Sequence, residues 1–287
     1  MKDQLNLKVQ LSSSPNGLPA KHMKSIALKT VIALLFALTL ASSAKADHII
    51  GSDMTYKCAD TPGIYKIIFN FYRDCNGCHV LGQTPKCGTG QNCASSSTAP
   101  TSLSLRCTTS GKVKNLSSVS MTRTGIVDIT TTCNSAKSRC EQPCNGTFPH
   151  GIEKHTFEGT IDVRSDITAG CCDFEISVRL AVRNVGITTG QSQQWFYTSC
   201  EINACAAPCN SSPNLSNDPV AILCCDQPFT FNNGAVDTSN RDSISYSFGK
   251  AFQNRGTECN YASPRTYLDP ITPYYPSGTS YHKGFSN

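Results

Sequence analysis

Cys140-x3-Cys144-x5-His150-x4-His155 is the one cluster in this chain whose residue types and spacing could ligate a metal. Two thiolates and two imidazoles make a tetrahedral zinc set, but zinc fingers need a longer gap between the pairs, which a chelating loop and helix fill. Cys75-x2-Cys78 has the spacing of a thioredoxin-type redox pair. That chemistry needs a βαβ context and a helix start, and neither follows. Gly-x-Ser-x-Gly, His-Glu-x-x-His and the phosphate loop are absent from the sequence. The acids Glu153, Glu158, Asp162 and Asp166 fall at the edges of strand-like stretches. Two of them could serve a glycosidase only if folding set them at a suitable separation. The expectation is therefore no catalytic, cofactor-binding or metal-ligating residue, and no cofactor.

The cysteines carry a different message. There are 17 in 287 residues: Cys58, Cys75, Cys78, Cys87, Cys93, Cys107, Cys133, Cys140, Cys144, Cys171, Cys172, Cys200, Cys205, Cys209, Cys224, Cys225 and Cys259. All lie beyond residue 46, after what reads as an export signal. Lys24 and Lys29 precede an apolar run from Val31 to Ala41, and Ala44-Lys45-Ala46 supplies the small residues of a cleavage site. That run is too short to span a bilayer, and no other segment approaches the length a spanning helix needs. In an oxidising compartment such density predicts a disulfide framework, so all 17 are disulfide candidates and the metal and redox readings recede. The odd number leaves at least one thiol free, bound elsewhere or paired with another chain. Expected pairs are local ones within 75–93 and within 133–144, with Cys171 or Cys172 reaching Cys224 or Cys225.

Six of the 25 Lys/Arg and one of the 20 Asp/Glu lie in residues 1–46, which leaves 19 of each beyond. The formal charge of +5 thus belongs to the leader, and the rest offers no electrostatic case for nucleic acid.

The elements that must hold these residues are strands. From Phe174 to Val182 every even position is apolar, and Glu175, Ser177, Arg179, Ala181 and Arg183 occupy the odd ones. That is the period of a strand with one buried face. Cys171 and Cys172 precede it, and neighbouring strand residues point to opposite faces, so the two thiols should reach different parts of the fold. Residues 48–58 and 64–74, joined by Thr61-Pro62-Gly63, predict a hairpin with Tyr65, Ile67, Phe69 and Phe71 on one face. Further strands are expected around Leu103–Cys107, within Val113–Arg123, at Ile126–Thr132, around Phe157–Val163, from Trp195 to Cys200, at Ala221–Cys225, at Phe229–Phe231 and at Ser243–Phe248. The segments 75–99 and 133–151 read as cysteine-stapled loops with little to bury. This predicts an all-β, disulfide-rich sandwich, with residues 1–46 as signal peptide, 47–205 as a first module and 206–287 as a second, incomplete one.

His48-Ile49-Ile50-Gly51-Ser52-Asp53-Met54-Thr55-Tyr56-Lys57-Cys58, the strand ending Phe71-Tyr72-Arg73-Asp74-Cys75, the Cys171-Cys172 pair and the run from Asn210 to Ser247 carry a resemblance. Over residues 48–250 the chain resembles the N-terminal region of large surface proteins of the Bacteroidota that end in a gliding-motility-associated sorting domain exported by type IX secretion. These residues do not include that sorting domain, so the chain is expected to be either a fragment of such a gene or a short relative exported another way. The resemblance implies immunoglobulin-like or cadherin-like modules on a secreted or cell-surface protein, with no catalytic residue to carry over. It also implies an acidic, calcium-holding turn at Asp237–Asp242. Here only Asp237, Asp242 and Asp226 would supply charge, and Arg241 adds a fixed cation, so a plain solvated turn with weak calcium binding is expected.

The function expected is a non-catalytic, secreted or cell-surface structural or adhesive module whose partner is an extracellular protein or glycan. The alternative is an extracellular hydrolase acting on polysaccharide or protein, with its site in the loops at 75–99 or 133–155.

Overall fold

The computed structural model describes residues 49–75, 100–130, 136–141, 150–180, 183, 190, 194–219, 232, 234–239 and 241–268. Nearly everything regular in it is β. The strands are β1 (Ile49–Cys58), β2 (Ile64–Asp74), β3 (Ser102–Cys107), β4 (Lys114–Ser120), β5 (Thr122–Asp128), β6 (Ile152–Asp162), β7 (Asp173–Leu180), β8 (Phe196–Asn203), β9 (Asn214–Leu215), β10 (Ala235–Val236), β11 (Phe252–Asn254) and β12 (Thr257–Glu258). One short helix, α1 (Arg164–Thr168), links β6 to β7.

Two antiparallel sheets hold the core between them. One runs β1-β2-β6-β5 and the other β12-β11-β8-β7-β3-β4; β9 and β10 form a separate pair. The alternation expected of β2 and β7 is what buries. Tyr65, Ile67, Phe69 and Phe71 face Leu103, Leu105, Phe174, Ile176 and Val178 in one apolar cluster. Phe157 and Ile161 join from β6, directly opposite Phe69 and Tyr65 across the ladder. Each fully buried aromatic or branched side chain here contributes about 1.5–3 kcal/mol.

The chain changes sheets between β4 and β5, and buried Met121 is the corner. The corner presses against β6 at Gly159. A Cβ there would lie 2.5 Å from the Ser120 carbonyl oxygen and 2.6 Å from Met121 Sδ. Backbone cannot yield as a flexible side chain does, so Gly159→Ala should lower stability by about 1–3 kcal/mol. Chemical denaturation of the two proteins measures it, and equal midpoints would contradict the close approach.

The edge strand β1 is covered by a returning segment. Ser212 N–H donates to the Tyr56 carbonyl at 2.9 Å, Tyr56 N–H donates to Ser212 Oγ at 2.9 Å and Cys58 N–H donates to Ser211 Oγ at 3.1 Å. A disulfide from Cys58 to Cys209 fixes that segment. Thus an open edge that would invite other strands is closed from within the chain.

Several expectations are corrected. Ser243–Phe248 is not a strand, although Ile244, Tyr246 and Phe248 alternate. Tyr246 and Phe248 are exposed, and no ladder partner lies beside them among the described residues. The Tyr246 hydroxyl instead accepts the Ala235 N–H at 3.0 Å. Alternation describes a half-buried surface, and without a neighbouring strand it does not make one. The threonine-rich strand begins and ends four residues earlier than expected, at Thr122–Asp128. β11 and β12 fall in a stretch with no strand signal, yet they extend the six-stranded sheet through Phe252 opposite Tyr197. Ala221–Cys225 and Phe229–Phe231 lie outside the described residues.

Candidate functional site

The cysteines define the molecule's most distinctive chemistry. Disulfides join Cys58 to Cys209, Cys75 to Cys140, Cys107 to Cys171 and Cys172 to Cys205. The adjacent pair therefore does diverge, one sulfur to the end of β3 and the other past the end of β8. The partners differ from those expected: neither Cys171 nor Cys172 reaches Cys224 or Cys225, and Cys75 bridges the two cysteine-rich loops instead of closing its own. The reason is register. Cys107 sits opposite Phe174 in the β3–β7 ladder, within reach of Cys171, and the Ala204 N–H donates to the Cys172 carbonyl, bringing Cys205 alongside. Of the candidates, Cys200 and Cys259 are free thiols among the described residues. Cys200 points inward from β8, and burial followed by the nearby Glu201 charge pushes its thiol up to about 12. It stays protonated and inert at neutral pH. Cys78, Cys87, Cys93, Cys133, Cys144, Cys224 and Cys225 lie outside the described residues.

The metal spacing is not assembled as a site. Cys140 is bonded to Cys75, so it offers no thiolate. Cys75, Cys140 and Glu153 lie within 4.8 Å of one another, but two of those three atoms are the disulfide. His155 is fully buried on the inner face of β6, edge-on to Phe71 with centroids 6.2 Å apart. His150 is exposed at the other side of Gly151.

Glu153, His155 and Arg73 form a buried polar cluster beside the Cys75–Cys140 bridge. Arg73 donates through Nη2 to Glu153 Oε2 at 2.8 Å and through Nε at 3.2 Å. His155 Nε2 lies 3.1 Å from the same oxygen. Burial alone would raise the Glu153 pKa, but the His155 hydrogen bond and the Arg73 guanidinium outweigh it and hold the carboxyl at about 2. Such a group is a fixed acceptor. It is the opposite of a proton donor kept protonated near neutral pH. Glu158 lies on the other face of β6, paired with Lys66 at 2.9 Å, so the two cannot flank one substrate. Asp162 is clasped by Arg164 at 2.5 Å, whose hydrogen bonds hold it at about 2.

The sequence reading missed a second cluster on the outer face of the six-stranded sheet. Glu175 occupies an odd, nominally solvent-facing position of β7, yet it is buried. Arg106 Nη1 approaches Glu175 Oε1 at 3.2 Å, Arg255 Nε approaches Oε2 at 2.8 Å, and the Tyr197 hydroxyl donates to Oε1 at 2.9 Å. Burial, and then the neighbouring Glu175, raise the Tyr197 pKa. Arg255 comes from the turn between β11 and β12, so the carboxylate fastens that hairpin over the sheet. Beside it Arg179 lies over the Trp195 ring at 3.9 Å and donates to the Gln253 carbonyl at 3.1 Å. Arg183 lies 5.0 Å from the Phe196 ring. The sequence carries no signal for this cluster; the ladder sets Glu175 opposite Glu201, an unfavourable pair unless cations come from elsewhere.

The Asp237 carboxylate accepts the N–H groups of Ser239 at 2.9 Å and Asp242 at 3.3 Å, and Arg241 adopts a left-handed φ of 59°. Its oxygens are directed into the turn's own backbone. Asp226 lies outside the described residues.

The class defined by this fold is a disulfide-stapled, all-β sandwich. No helix among the described residues is long and apolar enough to cross a membrane. Comparison with protein-family models, curated proteins and solved structures found no match.

Proposed function

We propose that the chain is a non-catalytic structural or adhesive module, exported to the cell surface or medium of a bacterium. Its framework of long-range disulfides carries this reading. Cys58–Cys209, Cys75–Cys140 and Cys107–Cys171 close separations of 151, 65 and 64 residues, and such staples persist only where thiols are oxidised. The leader at 1–46 supports the same address. In this reading the module is immunoglobulin-like or cadherin-like, of the kind found near the N-terminus of Bacteroidota surface proteins of the gliding-motility-associated kind. Its partner is an extracellular protein or glycan, and exposed Trp195, with Arg179 against its ring, is the natural first point of contact on the outer sheet face.

The test is a panel of extracellular polysaccharides and surface proteins, assayed with the exported protein for both retention and turnover. Binding that Trp195→Ala weakens, with no product released, is the expected result. Hydrolysis of any polysaccharide or protein at a saturable rate would overturn the proposal in favour of an enzyme.

A further inference from the structure

β5 ends the four-stranded sheet, and no described residue pairs with its outer edge. Ile126 is 45% exposed and Val127 53%, which is unusual for adjacent branched residues on an edge that has no lysine or proline to discourage pairing. The strand has seven residues, Thr-Arg-Thr-Gly-Ile-Val-Asp. It carries one cation, Arg123, and one anion, Asp128, near its two ends.

The bulge between Arg123 and Gly125 decides how these side chains point. Arg123 lies opposite Phe157, Ile126 opposite His155 and Asp128 opposite Glu153, so all three share the face that looks toward the core. Without the extra residue Arg123 would project from the other face. Val127, opposite Lys154, lies on the outer face with Gly125. Ile129 N–H bonds back to the Ile152 carbonyl at 2.9 Å. Backbone groups alternate in direction along an antiparallel strand, so those of Val127 also turn toward β6 while those of Ile126 and Asp128 turn outward.

An added antiparallel strand must oppose outward residues to outward residues. A second β5 does so when Ile126 of one copy faces Ile126 of the other. Two positions away, Asp128 then meets the partner's bulge, where Arg123 projects on the same face. Val127 meets the partner's Gly125, which presents no side chain to collide with it. Arg123 makes no hydrogen bond or ion pair among the described residues. Asp128 is held in place by the Thr130 N–H at 2.9 Å, the Thr130 hydroxyl at 2.5 Å and the Ser138 hydroxyl, and a carboxylate with about four acceptor positions retains room for a guanidinium. One sequence thus matches itself in backbone register, charge and side-chain volume, as an isologous interface requires.

We propose that β5 is a self-association edge. Two copies of this chain join it antiparallel across a twofold axis at Ile126, with Arg123 of each facing Asp128 of the other, and the two four-stranded sheets become one of eight strands.

A single seven-residue edge belongs to the small, weak class of interface. Sedimentation equilibrium of the purified, oxidised protein should therefore show a monomer–dimer equilibrium in the micromolar range that weakens as salt is added. Ile126→Lys, which sets two ammonium groups on the axis, should be monomeric throughout. Arg123→Glu should raise the dissociation constant roughly tenfold, since two attractive pairs become repulsive. Both side chains are exposed, so unfolding midpoints should match the unsubstituted protein; if Ile126→Lys nevertheless unfolds, Arg123→Glu decides. A monomer at every concentration, an open-ended polymer, or a dimer indifferent to both substitutions would overturn the proposal. So would a dimer that persists under denaturing, non-reducing conditions, because that would place the link at a cysteine.

Discussion

Replacing Cys58 and Cys209 together by serine should cost about 5 kcal/mol, the largest single loss of stability expected in this molecule. The bridge closes a separation of 151 residues, and the chain-entropy account gives about 4.7 kcal/mol for a 100-residue loop with a slow rise beyond that length. Its place adds to its length. It ties the end of β1 to the segment that covers that strand's edge, where Ser211 and Ser212 satisfy the backbone at Tyr56 and Cys58. Without the bridge, ordering residues 208–212 against β1 rests on a handful of hydrogen bonds worth about 1 kcal/mol each. Hydrogen exchange at Tyr56 and Cys58 should accelerate in the double variant far more than at Phe69 in the sheet centre. Unchanged exchange at both amides, with an unchanged denaturation midpoint, would show that the segment is held by something else.

The second large effect is expected at Glu153. Its partner Arg73 has a side chain only 6% exposed, so Glu153→Gln removes the carboxylate charge that faces a buried guanidinium, although that guanidinium keeps other partners such as the Asp74 carbonyl. Breaking a buried pair in this way costs about 3–5 kcal/mol. The corresponding loss at Glu175 should be smaller, because Arg106 and Arg255 are 21% and 41% exposed and can recover solvent. The same cluster sets an acid limit on stability. The Glu153 carboxyl ionises at about 2 in the fold, against a reference value of 4.5. A depressed folded pKa contributes stability that is complete above the unfolded value and is lost as pH falls from about 4.5 through 2. Denaturation midpoints should therefore decline over that window in the parent protein and decline less in Glu153→Gln. Parallel pH profiles for the two proteins would remove Glu153 from the acid response.

These effects also mark where the sequence is readable and where it is not. The alternation of Tyr65, Ile67, Phe69 and Phe71, and of Phe174, Ile176 and Val178, is a local property, and it places both central strands on the core. The adjacency of Cys171 and Cys172 likewise fixes that they diverge, since neighbouring side chains of an extended chain point apart. Which cysteine each one meets is a property of register between strands distant in the sequence, and nothing near Cys171 points to Cys107. Glu175 is illegible for the same reason. Its burial depends on Arg255, which arrives 80 residues later on a hairpin that carries no strand signal of its own. Ser243–Phe248 errs in the other direction: its pattern suits a strand, but a ladder needs a neighbour. The buried role of His155 was hidden behind a metal-like spacing, and because the strand signal began only at Phe157, its place on the inner face of β6 with Phe157 and Ile161 emerged from the structure.

A framework of long-range staples is the centre of this account, and peptide mapping of the non-reduced, alkylated protein tests it most directly. Cross-linked peptides joining Cys58 to Cys209, Cys75 to Cys140, Cys107 to Cys171 and Cys172 to Cys205 are expected, with Cys200 and Cys259 recovered as alkylated thiols. Recovery of Cys171 or Cys172 bonded to Cys224 or Cys225, or of these eight cysteines as free thiols in the exported protein, would contradict it.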